Sequence, residues 1–246
     1  MNILFTICGR AGSKGLANKN LKKLANKPLV GYALSLINLF GEANPAVNYE
    51  IGLNTDSEAL INLVESINEN VKLVQRKPEL ATDVVGKIEV IRDTFINLSE
   101  NKDSYDFIID LDITSPLRTL CDLENLVYSH SNNQDKDVYF SVVPSRRNPY
   151  FNMVKEVGDK VSIVNKSTFT ARQQAPRVFD MNASMYSFKP DFLLNSHYIF
   201  SGEVGMIQMK DYLILDIDSE EDFEWLNFLF PKFLEDSHEL LKVYKN

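Results

Sequence analysis

Three glycines, Gly9, Gly12 and Gly15, recur at every third position directly after an apolar run at residues 3–8. Arg10, Ser13, Lys14, Lys19 and Asn20 stand among and just beyond them. Glycines let backbone N–H groups converge on an oxyanion with no Cβ in the way. Lys and Arg add full positive charge, Arg with a two-pronged grip. The chemistry this suits is phosphate binding. The spacing excludes two familiar loops. A dinucleotide loop needs G-x-G-x-x-G, whereas these glycines run G-x-x-G-x-x-G, and a P-loop needs its second Gly where Lys14 stands. The bland alternative is a Gly-rich β–α turn with solvated cations.

The second focus is Asp216-Ile217-Asp218. Residues two apart in an extended segment share a face, so both carboxylates can reach one cation. Mg²⁺ takes one or two carboxylates and completes its shell with substrate phosphates and water. The competing reading is a helix cap, with Asp218 or Ser219 opening a helix at Glu220. A strand at residues 212–217 would be buried, and its carboxylates would need a partner such as Lys14, Lys19 or a metal.

The elements that must position these residues alternate. A strand at 3–8 leads through the Gly-rich loop to a helix at 28–40. A strand at 50–55 precedes a helix at 58–68 capped by Asp56 or Ser57, and a third strand covers 71–75. A β-α-β-α-β order implies parallel pairing with right-handed crossovers. After a loop at 76–83 come a helix at 86–98, a buried strand at 107–111, a polar loop at 112–118, a helix at 120–131 and a strand at 138–143. In open α/β sheets ligands bind outside the carboxyl ends of strands, where residues 9–20 and 112–118 both fall. Residues 144–177 break the pattern: they are cation-rich and hold a hairpin, 152–157 with 160–164, turning at Gly158-Asp159. This reads as an inserted arm at about 145–177 in one domain spanning 1–246. Strands at 182–188, 204–209 and 212–217, a helix at 220–230 and a terminal helix or docking tail at 233–244 complete the chain.

Composition bounds the rest. The 246 residues are 44% hydrophobic and 24% charged, ordinary for a soluble globular protein, with net charge −8, which argues against a nucleic-acid binder. Cys8 and Cys121 lack metal-ligand or disulfide spacing. His130, His197 and His238 lie in polar stretches and read as surface residues. The sequence shows no membrane-length apolar run and no signal peptide, so the cytoplasm is the expected location.

The run Arg10-x-Gly12-Ser13-Lys14-Gly15 followed by Lys19-Asn20 resembles the N-terminal signature of the acylneuraminate cytidylyltransferases. Further blocks resemble that family in order: Arg76 with Pro78-Glu79-Leu80-Ala81 and Asp83; Thr114-Ser115-Pro116-Leu117-Arg118; Arg172-Gln173; Asn182-Ala183 with Tyr186; and Asp216-Ile217-Asp218-Ser219 with Asp222-Phe223. The resemblance implies a three-layer, Rossmann-like nucleotidyltransferase fold that activates a nine-carbon 2-keto sugar acid with CTP. It implies nucleotide binding by Arg10, Gly12, Ser13, Lys14, Lys19, Asn20 and Arg76, with Arg10, Lys19 and Asp218 catalytic and Mg²⁺ held by Asp216 and Asp218. The sugar would meet Asp112, Thr114, Ser115, Arg172, Gln173, Asn182 and Tyr186. A homodimer through the arm is expected, with Phe151, Met153, Val161 and Ile163 in contact and Arg172 crossing to the partner's site. Two departures stand out. Sialic-acid-activating members carry Gln-Pro where this chain has Asp112-Ile113, and a nucleotide-site serine is missing near Lys87. Together with Arg146–Asn152 and Asp180–Ser184, these make the chain most similar to the legionaminate-activating branch. Pseudaminate, N-acetylneuraminate or an octulosonate are alternative sugars. A dinucleotide-dependent oxidoreductase with Asp56 at its second strand, or a non-catalytic nucleotide-binding protein, are the readings from other classes.

Overall fold

The apolar run near the N-terminus forms β1 (Asn2–Cys8), buried from Ile3 to Ile7, in a computed structural model that describes residues 1–12, 15–82, 84–101 and 103–246. Ser13, Lys14 and Asp83, all singled out by the sequence, lie outside the described residues. A 3₁₀ turn (Lys19–Leu21) and a short ribbon of β2 (Lys23–Leu24) with β3 (Lys27–Pro28) lead into α1 (Leu29–Ala43). The order continues with β4 (Asn48–Thr55), α2 (Glu58–Ile67), β5 (Lys72–Gln75), α3 (Lys87–Leu98), β6 (Phe107–Leu111), α4 (Leu120–Asn132) and β7 (Val138–Pro144). The arm carries the hairpin of β8 (Val154–Val157) and β9 (Lys160–Ile163), turning at Gly158 with φ +59. β10 (Phe179–Phe188), α5 (Pro190–Asn195), β11 (Val204–Gln208), α6 (Glu220–Asp236) and α7 (His238–Lys245) follow.

Seven strands make one sheet in the order β11-β7-β10-β6-β1-β4-β5. β1 pairs in parallel with β4 and β6, β4 with β5 and β7 with β11, while β10 runs antiparallel between β6 and β7. The carboxyl ends of β1, β4, β5, β6 and β7 therefore share one sheet edge with the amino end of β10. Both faces are covered, as a near-continuous apolar strand requires. Ile3, Phe5 and Ile7 pack with α1, α2, α4, α6 and α7, whereas Leu4 faces α3 and α5.

Capping residues set where the helices begin. Ser57 accepts from Leu60 N at α2, Thr119 and Asp122 form a capping box at α4, and Ser219 and Asp222 form one at α6. The last of these is decisive for the site, because Ser219 does the capping and Asp218 is left for other work.

Three expectations need correction. The predicted strand at 212–217 is a 3₁₀ turn (Asp211–Ile214) followed by open chain. β11 already occupies the edge beside β7, and Ile217 makes a single backbone bond to Thr114 O (2.9 Å) instead of a ladder. His130 is not a surface residue but fully buried, between the rings of Phe107 and Tyr139 (4.6 and 5.1 Å). It falls on the helical stripe of Leu123, Leu126 and Val127, which outweighs its polar sequence neighbours. The C-terminal helices divide at Ser237, since α6 continues through Pro231 to Asp236. α7 is docked: Lys27 Nζ donates to Val243 O and Tyr244 O (2.9 and 3.1 Å), and Tyr244 packs against Tyr32 and Phe230.

Candidate active site

The shared sheet edge opens into a cleft of about 630 Å³ lined by the β1 loop, the segment after β5, the start of α3, the loop after β6 and residues 216 and 218. Local backbone geometry shapes its first wall. Gly12 adopts φ +71, a left-handed conformation that favours glycine. At Gly15 a Cβ would lie 2.2 Å from Asp218 O, so only glycine permits the loop to press against that acid. Asp56 Oδ1 accepts from Ala11 N (2.7 Å) and thus ties the loop to the end of β4. That bond engages one oxygen of Asp56, the acid that the dinucleotide reading would set on a ribose. Asn20 Nδ2 donates to Arg10 O (3.0 Å), and both residues line the cleft.

Arg76, at the end of β5, also lines the cleft but is largely buried. Its Nε donates to Asn54 Oδ1 (3.0 Å) and its Nη2 to Asn54 O (2.9 Å). Burial lowers its pKa, opposed by the charges of Asp56 and Asp110.

Across the cleft floor lies a network that the sequence only hinted at. Lys87 Nζ sits 2.7 Å from Asp110 Oδ2 and 2.6 Å from Asp112 Oδ2, and 5.6 Å from the centre of the Tyr186 ring. Burial alone would lower the Lys87 pKa, but the two carboxylates outweigh it and hold the ammonium charged. Asp110 also accepts from Thr6 Oγ1 (2.9 Å). Asp112 Oδ1 accepts from Thr114 N and Oγ1 (2.9 and 2.8 Å). Burial pushes the Asp112 carboxyl up, yet Lys87 and the two Thr114 bonds pull it well below the usual carboxylate range. Behind them Arg118 is buried, with Nη1 on Ser184 O (3.0 Å). Its Nε and Nη2, together with Ser115 Oγ and Ser184 Oγ, have no hydrogen-bond partner among the described residues. Burial lowers the Arg118 pKa to about 10, against the pull of Asp112 and Asp110.

The acids at 216 and 218 form the opposite wall. Asp218 is exposed and pairs with Lys19 Nζ at 2.8 Å, one of the partners expected for it. Asp216 is half-buried, and burial, then Asp218, then Asp112 push its pKa up to about 6. Two carboxylates crowded in this way, one of them with a raised pKa, suit a divalent cation. Among the described residues no group of three or more His, Cys, Asp or Glu could hold a metal. A two-carboxylate donor set completed by phosphate oxygens is the pattern Mg²⁺ accepts.

The structure thus brings Arg10, Lys19, Asn20, Arg76, Asp112, Thr114, Asp216 and Asp218 to one cleft. Other candidates among the described residues lie elsewhere. Ser115 is buried beneath the cleft. Asn182 is buried and accepts from Ser141 Oγ (2.6 Å); a β-bulge between Met181 and Tyr186 presents Ala183, with φ +50, to the cleft instead. Tyr186 lines a neighbouring apolar cavity of about 170 Å³, with Ile88, Ile91 and Phe188. Lys87 borders both cavities. Arg172 and Gln173 line a separate hollow at the base of the arm, where Arg172 Nη2 donates to Ser145 O (2.9 Å). Lys87 and Asp110 are the residues sequence reasoning missed. The available signal was an acid within the otherwise apolar β6, which burial obliges to find a cation.

A nucleotide-sized cleft at the carboxyl edge of a mostly parallel sheet, with a Gly-rich cationic loop facing acids, is the arrangement of a nucleotidyltransferase. The family model described as "Cytidylyltransferase" matches residues 4–245, and the chain belongs to that family. It is 37% identical over 231 residues to post-translational flagellin modification protein B of Campylobacter coli, covering 94% of this chain and 95% of that one. It is 36% identical over 228 residues to CMP-N,N'-diacetyllegionaminic acid synthase of Campylobacter jejuni, covering 92% and 94%. Among solved structures it is similar in fold to CMP:2-keto-3-deoxy-manno-octonic acid synthetase complexed with CTP, with TM-score 0.69 and 14% identity over 94% of this chain and 99% of that one.

Proposed function

We propose that this cytidylyltransferase activates a nine-carbon 2-keto sugar acid of the legionaminate type with CTP. The anomeric hydroxyl gives up its proton and attacks the α-phosphorus, the bond from that phosphorus to the bridging oxygen breaks, and pyrophosphate leaves with the CMP-sugar as the other product. The observation that carries this reading is the meeting of Lys19 with Asp218 at 2.8 Å, which joins the cationic Gly-rich loop to the acid pair across one cleft. The 36% identity to a CMP-N,N'-diacetyllegionaminic acid synthase supports the sugar class.

Arg10, Lys19 and the backbone near Gly12 and Gly15 bind the triphosphate, and Ser13 and Lys14 belong to the same loop. Asn20 and Arg76 hold ribose and base. Arg76 is fixed by Asn54, which pre-orients it at little entropic cost when ligand arrives. Thr114 and Asp112 line the sugar side of the cleft, where Asp112 holds Lys87. Asp216 and Asp218 would hold Mg²⁺, which would neutralise phosphate charge and acidify the attacking hydroxyl. Positioning and charge neutralisation supply most of the rate, with no covalent enzyme intermediate.

Placement of Arg172 in the hollow at the arm base supports a shared site, in which it serves the partner of a homodimer. Val154, Val157 and Val161 on the hairpin are exposed, as is Met153 beside it, and supply apolar surface for that dimer. No helix among the described residues is long and apolar enough to cross a membrane, consistent with a cytoplasmic enzyme. The experiment is pyrophosphate release from CTP with a panel of keto sugar acids: a diamino nonulosonate should turn over fastest, and UTP should be a poor substitute for CTP. Equal turnover with both nucleotides, or none with any sugar acid, overturns the reading. Sedimentation of a fully active monomer overturns the dimer.

A further inference from the structure

The sugar side of the cleft holds a residue with a donor to spare. Lys87 carries three N–H groups. One donates to Asp112 Oδ2 (2.6 Å), the ammonium forms an ion pair with Asp110 Oδ2 at 2.7 Å, and no further acceptor is found among the described residues. The side chain keeps 30% of its surface exposed and borders both the main cleft and the apolar cavity beside Tyr186. Asp112 is in the opposite position. Its Oδ1 already accepts twice from Thr114 and its Oδ2 accepts from Lys87, so it has little capacity left for a ligand.

We propose that Lys87, rather than Asp112, is the side chain that recognises the sugar acid at this wall, its remaining N–H donating to an oxygen acceptor of the sugar while Asp110 and Asp112 fix its position. The proposal rests on the reading that the chain transfers a cytidylyl group to a keto sugar acid. The physical argument is pre-organisation. A lysine free in solution loses much rotamer freedom when it binds a ligand, but Lys87 has already lost it to two carboxylates. Arg118 also acts electrostatically on the same acids, so this wall already sets two cations against two acids before ligand arrives. It therefore selects by hydrogen-bond geometry and does not merely attract anions.

The test is steady-state kinetics at saturating CTP. Lys87→Met should lower kcat/KM for the preferred sugar acid ~10–100-fold, the value of one hydrogen bond from a charged donor, mainly through KM. The KM for CTP should move less than about twofold. Lys87→Arg, which can hold both carboxylates and still present an N–H, should recover part of the loss. The double variant Lys87→Met/Asp112→Asn separates recognition from mere neutralisation: it should stay as low as Lys87→Met, because the donor is still missing. Full activity in Lys87→Met overturns the proposal, as does recovery in the double variant or an equal loss of CTP binding. If Lys87→Met does not fold, by circular dichroism, Lys87→Gln/Asp112→Asn is compared with Lys87→Met/Asp112→Asn. Gln keeps an N–H donor and should retain the higher kcat/KM, and equal values overturn the proposal. Wild-type turnover alongside an unaffected Lys87→Met defeats this inference alone, whereas wild-type inactivity with every sugar acid defeats the functional reading and this proposal with it.

Discussion

Two acid pairs of identical spacing meet at the cleft and are treated in opposite ways. Asp110 and Asp112 are closed by the chain itself: Lys87 bridges them, Thr6 and Thr114 donate to them, and Arg118 lies behind. At the second pair Lys19 meets Asp218, while burial and the neighbouring Asp218 raise the pKa of Asp216. The first pair is neutralised by a cation of the free protein, Lys87. The second pair, proposed to hold a cation, keeps two like charges close enough to raise the pKa of one, which a bound cation would relieve. The same residue type at the same spacing thus meets two environments, set by the neighbours that the fold supplies.

The strongest way to break the comparison is to neutralise one acid of the open pair. Asp216→Asn should abolish most activity, by ~10³ or more in kcat, since it removes transition-state charge neutralisation. The metal-free melting temperature should not fall, because the change relieves repulsion. A variant that is active, or one that is inactive and markedly less stable, would place Asp216 with the structural pair. Lys19→Ala should cost ~10²–10³ in kcat at little cost in stability. Turnover near wild type would reduce the Gly-rich loop to a structural turn.

The closed pair should respond in the reverse order. Asp110→Ala leaves Thr6 without its acceptor and Lys87 with Asp112 alone, and should destabilise folding by ~1–3 kcal/mol in a denaturant titration, the scale for an unsatisfied buried polar group. A loss below about 1 kcal/mol, typical of exposed pairs, would mean that the network is only a surface feature.

A pH scan sharpens the contrast. Burial lowers the pKa of His130 to about 4, below its unfolded value of about 6.5, so the folded state prefers neutral imidazole. Its stability contribution is complete above pH 6.5 and is lost as pH falls toward 4, by roughly 2–3 kcal/mol. Asp112 is held below the usual carboxylate range, so its contribution is present above about pH 4 and is lost only in stronger acid. His130→Asn should therefore flatten the melting temperature between pH 6.5 and 4 and leave the steeper loss below pH 4 in place. An unchanged slope in that upper window would show that His130 is not what sets it.

The sequence by itself determined the alternating β-α order, the sheet-edge location of the two loops, the hairpin turn at Gly158 and most cleft residues of the nucleotide side. These depend on local pattern: a buried strand is a continuous apolar run, a helix start is a Ser or Thr cap, and a phosphate loop is glycine with cations. Even His130 was legible in principle, because its spacing from Leu123 places it on the buried stripe. Tertiary structure alone decided what spacing cannot carry. Whether residues 212–217 join a sheet depends on β11, which holds the open edge beside β7. Whether Asp112 offers its oxygens to a ligand depends on Lys87, which reaches it from a different helix. Whether Asn182 or Ala183 meets the cleft depends on the bulge in β10, a register shift set by the pairing of that strand with β7. Each of these is a contact between segments distant in the chain, and the charge state, orientation and spare hydrogen-bonding capacity of a side chain follow from such contacts, not from its neighbours in sequence.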